Sequence, residues 1–287
     1  MCRLYINMKI TPSTNLNRPP AFTSNFREVN KKCGELLHRN TTYFFRNDLK
    51  WQPFSEHIIE KYKNQDKVNI YCHACSDGSE PYSLAMLLIS KLGEKAQKFF
   101  PIIAKDKDDF FLDFARQGKV AAGISDMFRF GEELGSEYKK FISLAQEPIK
   151  IGDKMCQAIQ LNNQLKEAVI FEKADILDDI KNIEKDNTIL MFRNVWPYLD
   201  NPQMLATKLS QHLGDNSMCV IGDFDILKSK TVNHLLDAGF EPSDPAMFPK
   251  DALPIYYEKN PSFYERNTIK HHMSDPQFLM NTFAQKG

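Results

Sequence analysis

The sequence predicts an α/β fold in which helices cover both faces of a mostly parallel sheet. Short apolar segments of strand length alternate along the chain with longer segments whose apolar residues recur at helical spacing. Parallel neighbours need crossover connections, and the crossover helices then occupy the two faces of the sheet. Such sheets bind ligands outside the carboxyl ends of their strands, so the residues after each strand are candidates for a site.

The predicted elements alternate through the middle of the chain. Strands are expected at residues 68–72, 99–104, 168–171, 188–192 and 218–222. Helices are expected at residues 54–62, 81–92, 109–117, 202–212 and 228–238. These elements are assigned to one domain over residues 39–258, between an N-terminal arm with a short helix at 26–37 (residues 1–38) and a polar C-terminal extension (residues 259–287).

The composition is that of a folded protein without an electrostatic bias. The chain has 287 residues, 37 Lys+Arg, 37 Asp+Glu and a hydrophobic fraction of 42%. A protein that neutralises many phosphates normally carries a basic excess, so we expect no nucleic-acid partner. No apolar run approaches the roughly 18 residues of a transmembrane helix, and the N-terminal residues lack a signal-peptide pattern. We therefore expect no membrane insertion and a cytoplasmic location.

The cysteines and histidines do not predict a metal site. Six cysteines are scattered along the chain, which is typical of reduced thiols in a chain of this length. Cys72 and Cys75 form a C-x-x-C pair, but neither a second pair nor a histidine cluster accompanies them. His271 and His272 are adjacent in the C-terminal extension without a nearby group of carboxylates. We therefore predict no metal.

Polar residues follow three of the predicted strands. Residues 73–83 (HACSDGSEPYS) form a small-residue turn before a helix, without the glycine spacing of a dinucleotide site or a P-loop. Glu80 in this turn suits the positive end of the helix dipole. Without the family resemblance, this position at the start of the helix is enough to explain the carboxylate. Asp106 ends the second strand, where a carboxylate can accept hydrogen bonds from two ribose hydroxyls; the alternative is a helix N-cap, for which Asp108 is better placed. Residues 193–200 fit either a polar-ligand site or a solvated loop.

Four segments with recognisable patterns lie in order along residues 38–242. They are NTTYFFR at 40–46, ACSDGSEPYSLAM at 74–86, DKD followed by L and ARQG at 106–118, and FRNV through YLD at 192–200. Together they resemble segments of the CheR-type chemotaxis-receptor glutamate methyltransferases, namely N-x-T-x-F-F-R, A-C-S-x-G-E-E-P-Y-S-[IL]-A-M, D-I-D-x-x-x-L-x-x-A-R-x-G and [FC]-R-N-V-x-I-Y-F-D. Because all four occur in the family's order and at about its spacing, we identify the chain as a divergent member.

The resemblance implies a fold more specific than the pattern of elements does. It implies a Rossmann-like class I S-adenosylmethionine-dependent methyltransferase domain with a mostly parallel seven-stranded sheet whose last strand is antiparallel. It also implies a small antiparallel insertion before the strand that precedes Asp175, and residues 139–171 are expected to supply it.

The resemblance also implies the reaction. Members of the family transfer a methyl group from S-adenosylmethionine to a glutamate carboxylate of a protein, so the expected partner is a chemoreceptor-like signalling protein. Two alternatives stay open: a binding protein that kept the fold and lost the reaction, and a methyltransferase with a different acceptor. The segment ahead of Asn40 is shorter than the helical docking domain of the chemotaxis enzymes, which leaves the acceptor open.

The site residues follow from the resemblance, position by position. The implied cofactor-binding residues come from the segment ahead of the sheet and from the strand ends: Asn40, Thr42, Arg46, Glu80, Asp106, Asp175, Ile176, Arg193 and Asn194. Glu80 would meet the methionyl ammonium, Asp106 would hold the ribose, and Asp175 would lie beside the adenine. Arg46 and Tyr198 would face the methyl group as the catalytic pair.

Several positions depart from the family's pattern. Ser79 stands in place of the first glutamate of G-E-E-P-Y-S, and Lys107 stands in place of an aliphatic residue. Residues 196–197 (Trp-Pro) replace two aliphatic residues, and Asp175 replaces an amide. Ser79, Asp175 and the short N-terminal region are the sequence basis for the alternative in which the reaction has been lost.

Overall fold

The structure, a computed structural model, describes residues 27–29, 36–38, 42–122, 124–151, 154–214, 216–222, 225, 231–242 and 256–259. The strands in these ranges are β1 Arg27–Val29, β2 Leu36–His38, β3 Asn69–His73, β4 Ile102–Asp106, β5 Lys119–Ala121, β6 Ile142–Leu144, β7 Ile149–Ile151, β8 Lys154–Cys156, β9 Ala158–Leu161, β10 Val169–Lys173, β11 Thr188–Met191, β12 Met218–Val220, β13 Phe240–Pro242 and β14 Tyr256–Lys259. The α-helices are α1 Trp51–Lys61, α2 Ser79–Leu92, α3 Asp109–Gln117, α4 Ile124–Leu134, α5 Asn163–Ala168, α6 Ile176–Asp179, α7 Pro202–His212 and α8 Thr231–Asp237.

Seven strands of the described chain form the main sheet, in the order β10-β4-β3-β11-β12-β14-β13. The first five of these run parallel to one another. β14 is the last strand of the described residues and lies antiparallel between β12 and β13. The predicted mostly parallel sheet with an antiparallel last strand is therefore confirmed. The carboxyl ends of β4, β3 and β11 lie side by side at the middle of one edge.

The central strands are apolar in their middle residues because both faces of the sheet are covered. In β3, Ile70 and Cys72 face one hydrophobic core, whereas Tyr71 belongs to the other. The same alternation holds in β11, where Ile189 and Leu190 lie in different cores. Successive side chains of a strand point to opposite faces, so a continuous apolar run is what a doubly covered strand requires.

The second strand of the sheet begins later than its apolar run predicts. Residues 99–104 were expected to be extended, but β4 begins at Ile102, and Phe99 ends a 3₁₀ helix that starts at Gly93. Pro101 lacks the backbone N–H that a strand in the middle of a sheet must donate, so it fits the position just before the strand.

The short helix predicted at residues 26–37 is wrong. β1 and β2 form an antiparallel pair in which Arg27 lies opposite His38. The apolar spacing of so short a segment is compatible with either a helix or a strand. Asn30 and Gly34 would lie inside the predicted helix, where both are poor helix formers. The pairing of the two strands therefore decides the structure.

Small antiparallel sheets lie between α3 and β10. One sheet has the order β5-β9-β6, and β7 pairs with β8. The range predicted for the insertion, residues 139–171, contains β6 to β9, but its boundaries differ from the structure. β5 at Lys119–Ala121 joins the same small sheet, with Val120 opposite Ile159, whereas residues 169–171 belong to β10 of the main sheet.

Helices pack on the two faces of the sheet. α1 contacts α2, and α7 contacts α8. The apolar side chains of α2 share one core with Ile70 and Cys72 of β3, whereas those of α7 and α8 lie in the other. Among the described residues no helix is both long enough and apolar enough to span a membrane.

Candidate active site

The turn after β3 has an unusual backbone that brings it close to the neighbouring strands. Ala74 and Ser76 have φ angles of 57° and 52°, and Gly78 has 83°. A side chain at Gly78 would be strained at this φ, and its Cβ would lie 2.8 Å from the ring of Phe171. Non-glycine residues in this conformation are concentrated at functional sites. The turn thereby aims backbone N–H groups across the ends of β3 and β4.

Asp106 at the end of β4 receives one of these groups. Its Oδ2 accepts from the backbone N–H of Ser76 at 2.8 Å, and its Oδ1 accepts from that of Asp108 at 2.9 Å. Asp108 itself caps α3 by accepting from the N–H of Phe110, so Asp106 is not the N-cap of that helix. Burial raises the pKa of Asp106, against the opposing effect of these N–H donors. An ionised carboxylate has about four acceptor positions, so Asp106 retains capacity for paired hydroxyls.

The first turn of α2 explains the serine that departs from the family's pattern. The hydroxyl of Ser79 donates to Asp77 Oδ1 at 2.7 Å, and its backbone N–H donates to the same oxygen at 3.0 Å. Both side chains are buried. A glutamate at position 79 would place a second carboxylate next to Asp77, so serine is the residue type that suits this neighbour.

Arg193, two residues after the end of β11, is a buried cation between two carboxylates. Its Nη1 lies 2.5 Å from Glu80 Oε2, and its Nη2 pairs with Asp48 Oδ1. The side chain is fully buried, whereas those of Glu80 and Asp48 are 14% and 7% exposed. Burial acts to lower the pKa of Arg193, but Glu80 and Asp48 outweigh it and raise the pKa. Glu80, predicted at the ammonium of the cofactor, is therefore held in place by Arg193.

Asp48 was not among the predicted residues, although it connects three of them. Besides Arg193, its Oδ2 accepts from the side-chain amide of Asn194 at 2.8 Å and lies 3.4 Å from Arg46 Nε. Asp48 thereby joins the segment ahead of the sheet to the end of β11. The sequence offers one indication that Asp48 belongs to the site, namely its position two residues after Arg46. An aspartate at this position would equally suit a solvated turn.

The two residues predicted to face the methyl group lie near each other. The side chain of Arg46 is 24% exposed, and its guanidinium lies 5.8 Å from the ring of Tyr43. Within the described ranges, no side chain accepts a hydrogen bond from the terminal nitrogens of Arg46. Tyr198 is half-buried; burial and Asp225 raise its pKa, and the charge of Arg46 acts in the opposite direction. A cation and a phenol thus border the same strand ends.

Asp225, also missed by the sequence analysis, holds the loop that follows β11. Its two oxygens accept from the backbone N–H groups of Asn194 at 2.6 Å, Trp196 at 2.9 Å and Gly222 at 2.8 Å. Asn194 has a φ of 62°, which these bonds stabilise. Burial raises the pKa of Asp225 to about 7, although the three N–H donors and Arg193 act to lower it. Nothing in the sequence around Asp225 distinguishes it from a surface aspartate.

The raised pKa of Asp225 predicts a pH-dependent stability. The carboxyl has an ordinary pKa of 3.8 in the unfolded chain and about 7 in the folded one. Below about pH 4 the protonated carboxyl makes its full contribution to the free energy of unfolding. As the pH rises to 7, that contribution falls by on the order of 4 kcal/mol, because the unfolded chain releases this proton more readily than the folded one. Denaturant unfolding of wild type and Asp225→Asn across this range measures it. A stability difference between the two proteins that is constant from pH 4 to 7 would refute the assignment.

The remaining predicted residues lie at the end of β10 or ahead of the sheet. Asp175 caps α6 through Leu177 N–H at 3.0 Å, and its Oδ2 lies 2.7 Å from Lys107 Nζ. Two of the replacements in the family's pattern, Lys107 and Asp175, thus form an ion pair with each other. Ile176 is buried and Thr42 is half-buried. Asn40 and the adjacent pair His271-His272 lie outside the described residues.

The cysteines near the site are reduced and buried. Cys72 and Cys75 are both free, and the thiol of Cys72 lies 3.3 Å from Glu80 Oε1. Burial, with the nearby carboxylates, raises the pKa of both thiols well above the usual range, so neither is a ready thiolate. In the part of the chain that the structure describes, no group of three or more histidine, cysteine or acidic residues is arranged to hold a metal ion.

The strand ends therefore offer a definite set of chemical groups. Asp106 suits paired hydroxyls, Glu80 suits an ammonium, and the turn at residues 74–78 lets backbone approach a ligand closely. Arg46 and Tyr198 add a cation and a phenol beside them. These groups fit a nucleoside that carries an amino acid, which is the chemical class of S-adenosylmethionine.

Related proteins agree with this reading. Residues 40–238 match a family model described as the SAM-binding domain of CheR methyltransferases. A chemotaxis protein methyltransferase of Borreliella burgdorferi is 23% identical, over 83% of this chain and 86% of that protein. Those of Listeria monocytogenes and Pseudomonas aeruginosa are 27% and 26% identical, over 65% and 68% of this chain and 65% and 67% of their own lengths.

Solved structures add only a distant likeness. A TehB-like SAM-dependent methyltransferase from Corynebacterium glutamicum is 14% identical over 72% of this chain and 87% of that one, with a TM-score of 0.40. The family assignment rests instead on the sequence match, which spans well over half of the chain. The chain belongs to the CheR methyltransferase family and is an S-adenosylmethionine-dependent methyltransferase.

Proposed function

We propose that this protein transfers the methyl group of S-adenosylmethionine to a glutamate carboxylate of a protein. The observation that carries the proposal is Arg46, a partly exposed arginine held by Asp48 at 3.4 Å beside the ends of the central strands. A fixed cation attracts a carboxylate acceptor and repels the ammonium of a lysine acceptor. The related proteins are named chemotaxis protein methyltransferases, which agrees with a protein acceptor.

The residues at the strand ends divide the binding of the cofactor among themselves. Asp106 accepts hydrogen bonds from the ribose hydroxyls, and Glu80, oriented by Arg193, accepts from the methionyl ammonium. Asp175 and Ile176 border the adenine. The proposed cofactor site also includes Asn40, Thr42, Arg46 and Asn194.

The reaction requires no proton transfer by the protein. When bound, S-adenosylmethionine supplies an electrophilic methyl group on a sulfonium whose departure as a thioether needs no proton. The glutamate acceptor has an ordinary pKa near 4.3 and is already ionised at neutral pH, so no general base is required. The work of the protein is alignment of the reacting atoms and exclusion of water. Alignment alone can contribute on the order of 7–11 kcal/mol to a rate.

Arg46 and Tyr198 supply this alignment. Arg46 donates a charge-assisted hydrogen bond to one oxygen of the acceptor carboxylate, and Tyr198 donates its phenolic O–H to the other or packs against the methyl group. The pKa of Tyr198 is raised by burial, so the phenol keeps its proton at neutral pH. The two groups together hold the acceptor in one orientation.

The proposed partner is a chemoreceptor-like signalling protein, and the proposed location is the cytoplasm. Four described cysteines are free thiols, which suits a reducing compartment.

Peptide labelling tests the acceptor. The protein is incubated with S-adenosylmethionine carrying a tritiated methyl group and with helical peptides that carry glutamate at a central position. We expect label in these peptides and release of that label as methanol under mild base, since a carboxyl ester hydrolyses whereas an N-methyl group survives.

Matched peptides with glutamine in place of glutamate are the control and should take up little label. Label that resists base, or equal labelling of the glutamine peptides, would point to a different acceptor.

Titration with S-adenosylhomocysteine on the same preparation distinguishes a wrong acceptor from a cofactor site that does not bind. In that titration Asp106→Ala should weaken binding by roughly tenfold or more, because two hydrogen bonds to a charged group are lost.

A further inference from the structure

Lys107 and Asp175 form an ion pair that joins two strand-end loops. Lys107 follows β4 directly, and Asp175 lies two residues after the end of β10. The two strands are parallel neighbours in which Lys173 lies opposite Asp106. Lys107 Nζ is 2.7 Å from Asp175 Oδ2, and the side chains are only 30% and 20% exposed. Water therefore screens this pair less than it screens an ordinary surface pair.

The same two loops are joined by the backbone. The N–H of Ala174 donates to the carbonyl oxygen of Asp106 at 3.0 Å. Asp175 then turns the chain into α6, because its Oδ1 accepts from the N–H of Leu177 at 3.0 Å. One carboxylate thus serves both loops: Oδ1 sets the start of α6, and Oδ2 ties that start to the residue after Asp106.

Asp106 and Ile176 are the residues on either side of this connection. The carboxylate of Asp106 is fixed by N–H groups of Ser76 and Asp108. Ile176 is buried, and its position follows from the cap made by Asp175. The Lys107–Asp175 pair is therefore a side-chain connection, beside the backbone bond from Ala174 to Asp106, between the segments that carry Asp106 and Ile176.

We propose that Lys107 and Asp175 act as one positioning unit, which sets the two loops in the arrangement that binds the adenosine part of the cofactor. This inference rests on the proposed placement of adenosine at Asp106 and Ile176. Lys107 is a positioning residue because it acts through Asp175. Neither charge serves this purpose alone. Without Lys107, Asp175 lacks the cation that connects it to the residue after Asp106, and without Asp175 the start of α6 lacks that connection.

A double-mutant cycle with Lys107→Met and Asp175→Asn tests the unit. Methionine keeps most of the length of lysine, and asparagine keeps an acceptor for the cap while losing the charge. We expect each single variant to weaken binding of S-adenosylhomocysteine by roughly three- to tenfold. The double variant should be no weaker than either single one, because the second change removes a group that has already lost its partner.

Two further measurements separate this role from a general structural one. Binding of 5′-methylthioadenosine, which has the adenosine part without the amino-acid part, should weaken by the same factor in Lys107→Met. A matched control comes from Lys173, which pairs with Asp109 at 2.6 Å across the same strand ends but is 60% exposed. Lys173→Met should bind S-adenosylhomocysteine within twofold of wild type.

Several results would overturn the inference. They are a Lys107→Met variant that binds within twofold of wild type, additive effects in the cycle, or an equal loss in Lys173→Met. If wild type binds S-adenosylhomocysteine while the cycle shows no coupling, the inference fails and the cofactor site stands. A wild-type protein that binds neither compound would overturn the cofactor site and this inference together.

Discussion

Replacing Arg46 by alanine is expected to reduce methyl transfer by roughly 100- to 1,000-fold, the usual cost of losing a donor aimed at the reacting group. The reason is that Arg46 is proposed to orient the acceptor carboxylate, which is the main task left to the protein when no proton is transferred. Binding of S-adenosylhomocysteine should weaken but stay measurable, because Asp106 and Glu80 are retained. Single-turnover rates and calorimetric titration measure the two effects separately.

Arg129 offers a matched control for this experiment. Its guanidinium stacks at 4.2 Å on the ring of Tyr43, which also faces Arg46 at 5.8 Å. Arg129→Ala removes a cation from the same aromatic ring without touching the strand ends, and its turnover should stay within about threefold of wild type. Unchanged turnover in Arg46→Ala would remove Arg46 from the mechanism.

Replacing Arg193 by methionine is expected to lower the free energy of unfolding by about 3–5 kcal/mol. The change leaves Glu80 and Asp48 buried without their shared cation, and the loss of one partner from a buried pair costs much more than the pair contributes. Asp48 keeps Asn194 and Arg46 as neighbours, whereas Glu80 keeps the thiol of Cys72. Denaturant unfolding at pH 7 measures the effect.

A compensating variant separates charge from packing in this cluster. Arg193→Met combined with Glu80→Gln and Asp48→Asn removes all three charges, so most of the lost stability should return. Binding of S-adenosylhomocysteine should not return, because the ammonium then lacks its carboxylate. A single Arg193→Met variant within 1 kcal/mol of wild type would show that the cluster is not held by charge.

The alternation of short apolar runs and helical patterns was sufficient to predict the sheet. Buried parallel strands such as β3 and β11 must be apolar on both faces, so they leave a strong local pattern. The first predicted helix failed because residues 26–37 are too short and too mixed for that pattern to decide. Residues 27–29 pair with residues 36–38 as strands, and that pairing joins residues separated along the chain.

The predicted site residues also show which signals are local. Asp106, Glu80 and Arg193 occur within segments whose order and spacing carry the resemblance. Asp48 and Asp225 do not stand out as residue types, and their roles appear only when the ends of separate elements meet. Asp225 is 31 residues from Asn194 in the chain, yet it accepts that residue's N–H at 2.6 Å.

The sequence by itself determined the doubly covered sheet, the family and the polar residues at the strand ends, because these depend on local period and on the order of four segments. The tertiary structure decided which charges are partners. Arg193 lies between Glu80 and Asp48, and Lys107 meets Asp175, because parallel strands bring loops that are distant in the chain to one edge. Ion pairs of this kind depend on the separation of side chains in space, which no local pattern records.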